Sequence, residues 1–220
     1  MVISGRHLNI VLLGATALGS VLVSATACVR DPLPSVCPRF DAGDLVVTEL
    51  RGAQTGSYRE WIEIYNASDA ALPLAGLRVT LSHLENDGSE TFAAFFVRDE
   101  ALELPAGAYL VLGGGDPAEV DYIDYDYTSD HHTDSDPTKP TSLYPSATIE
   151  LLACETVVDR VVYSGLPVAG TLALDGAAEP SAAINDDSAT GWCVDDRIDA
   201  GPQTQIGLRG TPGAANLPCP

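Results

Sequence analysis

The stretch Glu60-Trp61-Ile62-Glu63-Ile64-Tyr65-Asn66 (EWIEIYN) sets two carboxylates beside an aromatic ring inside an apolar run. Read as chemistry, it offers half of a paired-acid site of the glycosidase kind. Read as backbone, it is a strand. In an extended strand residues of equal parity share a face, so Trp61, Glu63 and Tyr65 lie on one side and Glu60, Ile62 and Ile64 on the other. Glu60 and Glu63 then point in opposite directions and cannot flank one substrate, as a glycosidase pair must. Ile62 and Ile64 read as core. Trp61 could claim the core side instead, which leaves Glu63 in need of a partner such as the backbone N–H groups of a turn.

The neighbouring segments have the same short, turn-bounded form. DLVVTEL (44–50) runs into the Gly-rich RGAQTGS, and EWIEIYN stops at NASDA. AGLRVTLSHL (75–84) alternates Leu77, Val79 and Leu81 against Arg78, Thr80 and Ser82, and NDGS (86–89) is a turn signal before TFAAFFV. LPAGAYLVLGGG (104–115) is a strand left through glycines. ATIELLA (147–153) and TVVDRVVY (156–163) flank Cys154-Glu155 as a hairpin, and TLALD (171–175) is one more strand. Past the apolar leader no window sustains a helical apolar period. About eight short strands with a turn every ten residues or so predict an all-β sandwich.

Composition and the N-terminus address location. The chain has 220 residues and a formal net charge of −20, from 31 acidic against 11 basic side chains. That surface repels phosphate backbones, so nucleic acid is excluded as a partner. Residues 1–27 carry Arg6, His7 and then an uncharged apolar run, an export signal. Ala25-Thr26-Ala27-Cys28 resembles a bacterial lipobox, although Ala25 stands where that pattern usually has Leu, and Ala25-x-Ala27 also fits ordinary secretory cleavage. Of the five cysteines, a lipid on Cys28 leaves Cys37, Cys154, Cys193 and Cys219, an even set for two disulfides in an oxidising compartment. Cys37 and Cys219 bracket the domain, and the two ends of a sandwich can lie close. This favours Cys37–Cys219 with Cys154–Cys193. Val29 follows the modified cysteine; by resemblance to lipoprotein sorting, Asp there would favour the inner membrane. The expected location is therefore the outer membrane of a Gram-negative cell, with soluble secretion as the alternative.

Taken in order, DLVVTEL, EWIEIYNASDAALPLAGLRV, LPAGAYLVLG and the closing GTPGAAN (210–216) resemble a lamin-tail domain of the bacterial exported type. The resemblance covers about 44–217, and VVDRVVY and NDDSATGW (185–192) fit its later strands. It implies an immunoglobulin-like β-sandwich that serves as a binding or structural module and carries no catalytic constellation of its own. The expected organisation is a signal peptide over 1–27, a Pro-rich tether over 28–43 and the domain over 44–217, with an acidic insertion at about 116–146.

That insertion holds the densest candidate chemistry. EVDYIDYDYTSDHHTDSDP (119–137) supplies Asp121, Asp124, Asp126, Asp130, Asp134 and Asp136 with His131 and His132. Calcium takes six to eight oxygens and is the cation such a loop could hold, which keeps a calcium-dependent adhesin open as an alternative. An EF-hand register from Asp124 fails, because Ser129 stands where glycine is needed and Ser135 where a bidentate Glu belongs. Adjacent histidines on extended chain point to opposite sides, which argues against a transition metal. The bland expectation is a solvated loop, on which Tyr122, Tyr125 and Tyr127 could form a contact surface for a protein or glycan.

A hydrolase is the weakest alternative. The chain has no nucleophile elbow, Walker loop or H-E-x-x-H motif, and His7 and His83 lie in the leader and at a strand end. No catalytic residue, metal site or cofactor is expected. Asn66-Ala67-Ser68 matches a glycosylation acceptor but reads as a turn whose side chains bond local backbone.

Overall fold

The computed structural model describes residues 37–56, 58–128, 142–198, 200–202 and 206–220, together with the backbone of 132–133. The leader, Cys28 and most of the expected tether lie outside the described residues. In chain order the strands are β1 (Leu45–Arg51), β2 (Trp61–Asn66), β3 (Leu72–Pro73), β4 (Leu77–Leu84), β5 (Glu90–Phe96), β6 (Glu103–Leu104) and β7 (Tyr109–Gly113). Then follow β8 (Tyr125–Asp126), β9 (His132–Thr133), β10 (Ala147–Ala153), β11 (Thr156–Tyr163), β12 (Thr171–Leu174) and β13 (Trp192–Asp195). There is no helix among the described residues.

Two sheets face each other as an all-β sandwich. One has the order β13-β12-β1-β2-β7-β8, the other β11-β10-β4-β5-β9, and β3-β6 form a small ribbon. The alternation read in the sequence decides the core. Leu77, Val79 and Leu81 of β4 meet Ile149 and Leu151 of β10 and Ile62 and Ile64 of β2, all fully buried. The two-residue hairpin between β10 and β11 falls at Cys154-Glu155, and Cys154 takes a φ of +54°, the left-handed conformation such tight turns require. Packing begins before β1: Phe40 belongs to the core and Gly43 N–H donates to the Val158 carbonyl.

One irregularity matters for everything below. Val47 pairs with Ile64 but Glu49 pairs with Glu63, so Thr48 is an extra residue, a β-bulge. The slip moves Leu50 into the core with Leu45 and Val47 and turns Glu49 to the outer face, beside Glu63.

The described part of the acidic insertion is built into the fold and is not wholly a solvated loop. Its Tyr125–Asp126 adds β8 in parallel to β7, and His132–Thr133 adds β9 to β5, so the insertion supplies an edge strand to each sheet. The reason is apolar burial. Tyr127 is fully buried and stacked on Phe95, ring centroids 4.6 Å apart, and Tyr122 packs on Trp61 at 5.2 Å.

The expected disulfide pairing is also corrected: the bonds are Cys37–Cys154 and Cys193–Cys219. The Gly43–Val158 hydrogen bond lays the entering chain along β11, which brings Cys37 to the hairpin turn. The exiting chain is held at Asp175, whose Oδ1 accepts from Cys219 N–H, and Ala173 two residues earlier pairs with Cys193.

Candidate functional site

All six residues of β2 are buried, so both faces of EWIEIYN are covered. Glu60 lies at the end of the strand, where its Oε2 accepts from Leu143 N–H at 2.6 Å. Glu63 lies on the opposite face. The two carboxylates are therefore divided between the faces, as the strand parity requires. The partner of Glu63 is Glu49, delivered by the bulge, and both side chains are fully buried.

The cover over this outer face is the closing stretch 207–217, here called the strap. Thr211 N–H donates to Glu49 Oε1 at 3.1 Å, and Gly213 N–H donates to Glu63 Oε2 at 2.7 Å. The turn N–H that Glu63 needed is thus Gly213. From the sheet side, the Thr171 hydroxyl donates to Glu49 Oε1 and the Thr48 hydroxyl to Glu63 Oε1. Asn216 completes the clasp: its Nδ2 donates to the Thr48 and Leu174 carbonyls, and its Oδ1 accepts from the Thr211 hydroxyl. Gly210 is required by geometry, since its φ is +93° and a Cβ there would stand 2.6 Å from Glu49 Oε1. Leu208 packs with Trp61, Val111, Tyr122 and Ile123 in a second, smaller apolar cluster.

Burial pushes the Glu49 carboxyl up to about 7 against the pull of its Thr171 and Thr211 donors, with Asp195 adding like-charge repulsion. Burial, then the charge of Glu49, holds Glu63 well above the usual carboxylate range. Arg51 shares this face, its guanidinium over the Tyr58 and Trp61 rings at 5.6 and 5.2 Å. It forms no ion pair with either acid among the described contacts, and Glu49 Oε2, Arg51 Nε and Trp61 Nε1 make no protein hydrogen bond.

A second buried polar knot joins the sheets. The N-terminal half of β1 has no β12 partner, and side chains take that place: Asp159 Oδ2 accepts from Val47 N–H at 2.7 Å, and Asn185 Nδ2 donates to the Val47 carbonyl at 3.0 Å. Asn185 Nδ2 also donates to Asp159 Oδ2 at 2.8 Å. Burial raises the Asp159 carboxyl against these donors.

Among the described residues, two of the insertion's candidate acids are engaged in backbone and hydroxyl hydrogen bonds. Asp124 Oδ2 accepts from Val111 N–H, and Asp126 Oδ1 from the Thr128 N–H and hydroxyl. Tyr122 accepts from Arg59 N–H, and Tyr125 accepts from Arg98 N–H and donates to the Phe96 carbonyl. Tyr122 and Tyr125 thereby staple loops to the sheets, and Tyr122 and Tyr127 are buried, so those two rings are not offered at the surface. Asp130, Asp134, Asp136 and His131, and the side chain of His132, lie outside the described residues. Among the described residues no three His, Cys, Asp or Glu side chains are grouped to hold a metal. Asn66 is the turn residue expected: buried, its Oδ1 accepts from Ser68 N–H and its Nδ2 donates to the Ala70 and Leu104 carbonyls.

Two open cavities flank the strap, of about 450 Å³ beside Tyr65, Tyr109 and Glu179 and about 370 Å³ beside Tyr109, Asp121 and Asp124. Neither contains the nucleophile–base–orienter arrangement that covalent catalysis needs. No family model, curated protein or solved structure matches this chain.

Proposed function

We propose that this chain is an exported, lipid-anchored protein whose sandwich is a non-catalytic binding or structural module of the lamin-tail kind. The carrying observation is the two disulfides, Cys37–Cys154 and Cys193–Cys219, which consume every cysteine except Cys28. Disulfides persist in oxidising compartments, and the unpaired thiol falls at the end of the apolar leader, where a thioether-linked lipid would be added. A lipidated Cys28 makes the membrane the first partner and favours the outer membrane of a Gram-negative cell.

The buried and half-buried acids named above support a non-catalytic role, because they carry structural loads. Glu49 and Glu63 hold the strap, Glu60 holds Leu143, and Asp159 completes β1. The convergence of DLVVTEL, EWIEIYN and GTPGAAN on one clasp supports the lamin-tail reading, since those pieces carried the resemblance. The binding surface fitting this geometry is the tyrosine-floored cavity of Tyr65, Tyr109 and Glu179, open to a protein or glycan partner.

The anchor is tested by Cys28→Ser in a cell that processes lipoproteins, with labelled palmitate and membrane fractionation. The expected result is loss of label and release from the membrane. A variant that stays in the membrane fraction with its mobility unchanged overturns the reading.

A further inference from the structure

We propose that the Glu49–Glu63 pair is a pH-sensitive latch on the strap, which holds 207–217 closed in mild acid and releases it as the carboxyls ionise. The geometry supplies each part. Two fully buried carboxyls face each other across the β1–β2 register, and both are bound by backbone N–H groups of one short segment. Arg51 lies on this face and feels the charge of Glu49 and, from the strap, that of Arg209, but among the described contacts it makes no ion pair with either acid, and burial lowers its own guanidinium. The other titratable groups that bear on the pair deepen the effect. Asp195 on β13 acts on Glu49, Asp124 of the insertion acts on Glu63, and Glu63 in turn holds the Tyr109 hydroxyl of β7 above its usual range after burial. A second charge in this site is therefore opposed from two neighbouring elements, β13 and the insertion, while the Tyr109 phenol stays neutral, and lifting the strap admits the water that would solvate the charge.

The movement is bounded. Arg209 bridges to Ile198 at one end of the strap, and Cys219 is covalently joined to Cys193 at the other, so release is a local excursion and not a loss of the C-terminus. Opening would bare Trp61, Val111, Tyr122 and Leu208, an apolar face that is otherwise covered.

The direction follows from linkage. In the open state the carboxyls return to the ordinary value of 4.5, whereas in the closed state burial holds Glu49 up to about 7 and Glu63 well above the usual carboxylate range. Opening therefore releases protons in the interval between, and the open population grows up to about tenfold per pH unit for each proton released. Below the ordinary value both states are protonated and the latch is at its tightest.

Hydrogen exchange of the Thr211 and Gly213 amides, read by NMR between pH 5 and 7.5 with the intrinsic base-catalysed rise divided out, tests this. The expected result is protection that falls by about tenfold per pH unit and stays below that of Ile149 and Leu151 in the second sheet. The Glu49→Gln/Glu63→Gln variant should make that protection independent of pH. Because the double change could impair folding, the wild-type carboxyls are also titrated directly by ¹³C-glutamate shifts. Flat protection in the wild type, protection equal to that of the second sheet at every pH, or both carboxyls ionised at pH 5 would each overturn the latch.

Discussion

Tyr127→Ala separates an insertion built into the fold from a solvated loop. Tyr127 is fully buried, belongs to the main core and stacks on Phe95 with ring planes 21° apart. Truncating a core aromatic removes its transfer free energy and leaves a cavity whose walls relax only in part, a loss of about 3–5 kcal/mol. In a domain of this size each kcal/mol shifts the melting temperature by about 2–4 °C, so the expected drop is about 6–20 °C. The assay is a thermal melt with disulfides intact, followed by near-ultraviolet circular dichroism and checked by urea unfolding. Leu84→Ala is the control: that side chain is 70% exposed, and its loss should change stability by no more than about 0.5 kcal/mol. A Tyr127→Ala melt within about 1 °C of wild type would refute the reasoning, because only a residue outside the core can be removed so cheaply.

Asn216→Ala removes the amide that donates to the Thr48 and Leu174 carbonyls and should cost about 2–4 kcal/mol in urea unfolding; a change below about 0.5 kcal/mol would show that the strap does not depend on this clasp. Overall stability should fall by about 2 kcal/mol between pH 5 and 7.5 through Glu49 alone, whose carboxyl rises from 4.5 to about 7 on folding, so the unfolded chain ionises first and the native state loses ground as pH rises. The lowered carboxyls of Asp87 and Asp175 titrate below that window and do not offset the trend, so stability that rises across it would contradict the buried pair. Non-reducing peptide mapping should recover Cys37–Cys154 and Cys193–Cys219. Removing the first should destabilise by about 5 kcal/mol and the second by about 3.5, since they close loops of 117 and 26 residues; the reverse order would count against the chain-entropy account.

What the sequence made legible was local. Period-two alternation placed β4 and β10 and located the Cys154-Glu155 hairpin, because each strand's inward face is spelled by its own residues. Parity separated Glu60 from Glu63 for the same reason. Cross-strand relations were not legible. The bulge at Thr48 is one unpaired residue in an unbroken run, and nothing in LVVTELR marks it, yet it alone decides that Glu49 joins Glu63 on the outer face. The tyrosines of the insertion looked solvated because Asp surrounds them. Among the described acids Asp126 turns back onto its own loop and Asp124 onto Val111 of β7, while the rings of Tyr122 and Tyr127 go inward, a division that composition averages away. The disulfides failed on the same ground, since proximity of chain ends was argued from the outline of a sandwich, and the register of β12 with β13 and the hydrogen bond from Gly43 to Val158 decided otherwise. The signal that could have found the clasp was the strap itself. GTPGAAN carries two glycines, a threonine and an asparagine without a strand to serve, the composition of a segment whose backbone N–H groups and amide side chain are spent on something buried. The carboxylates with no partner in their own strands were the other half of that bond.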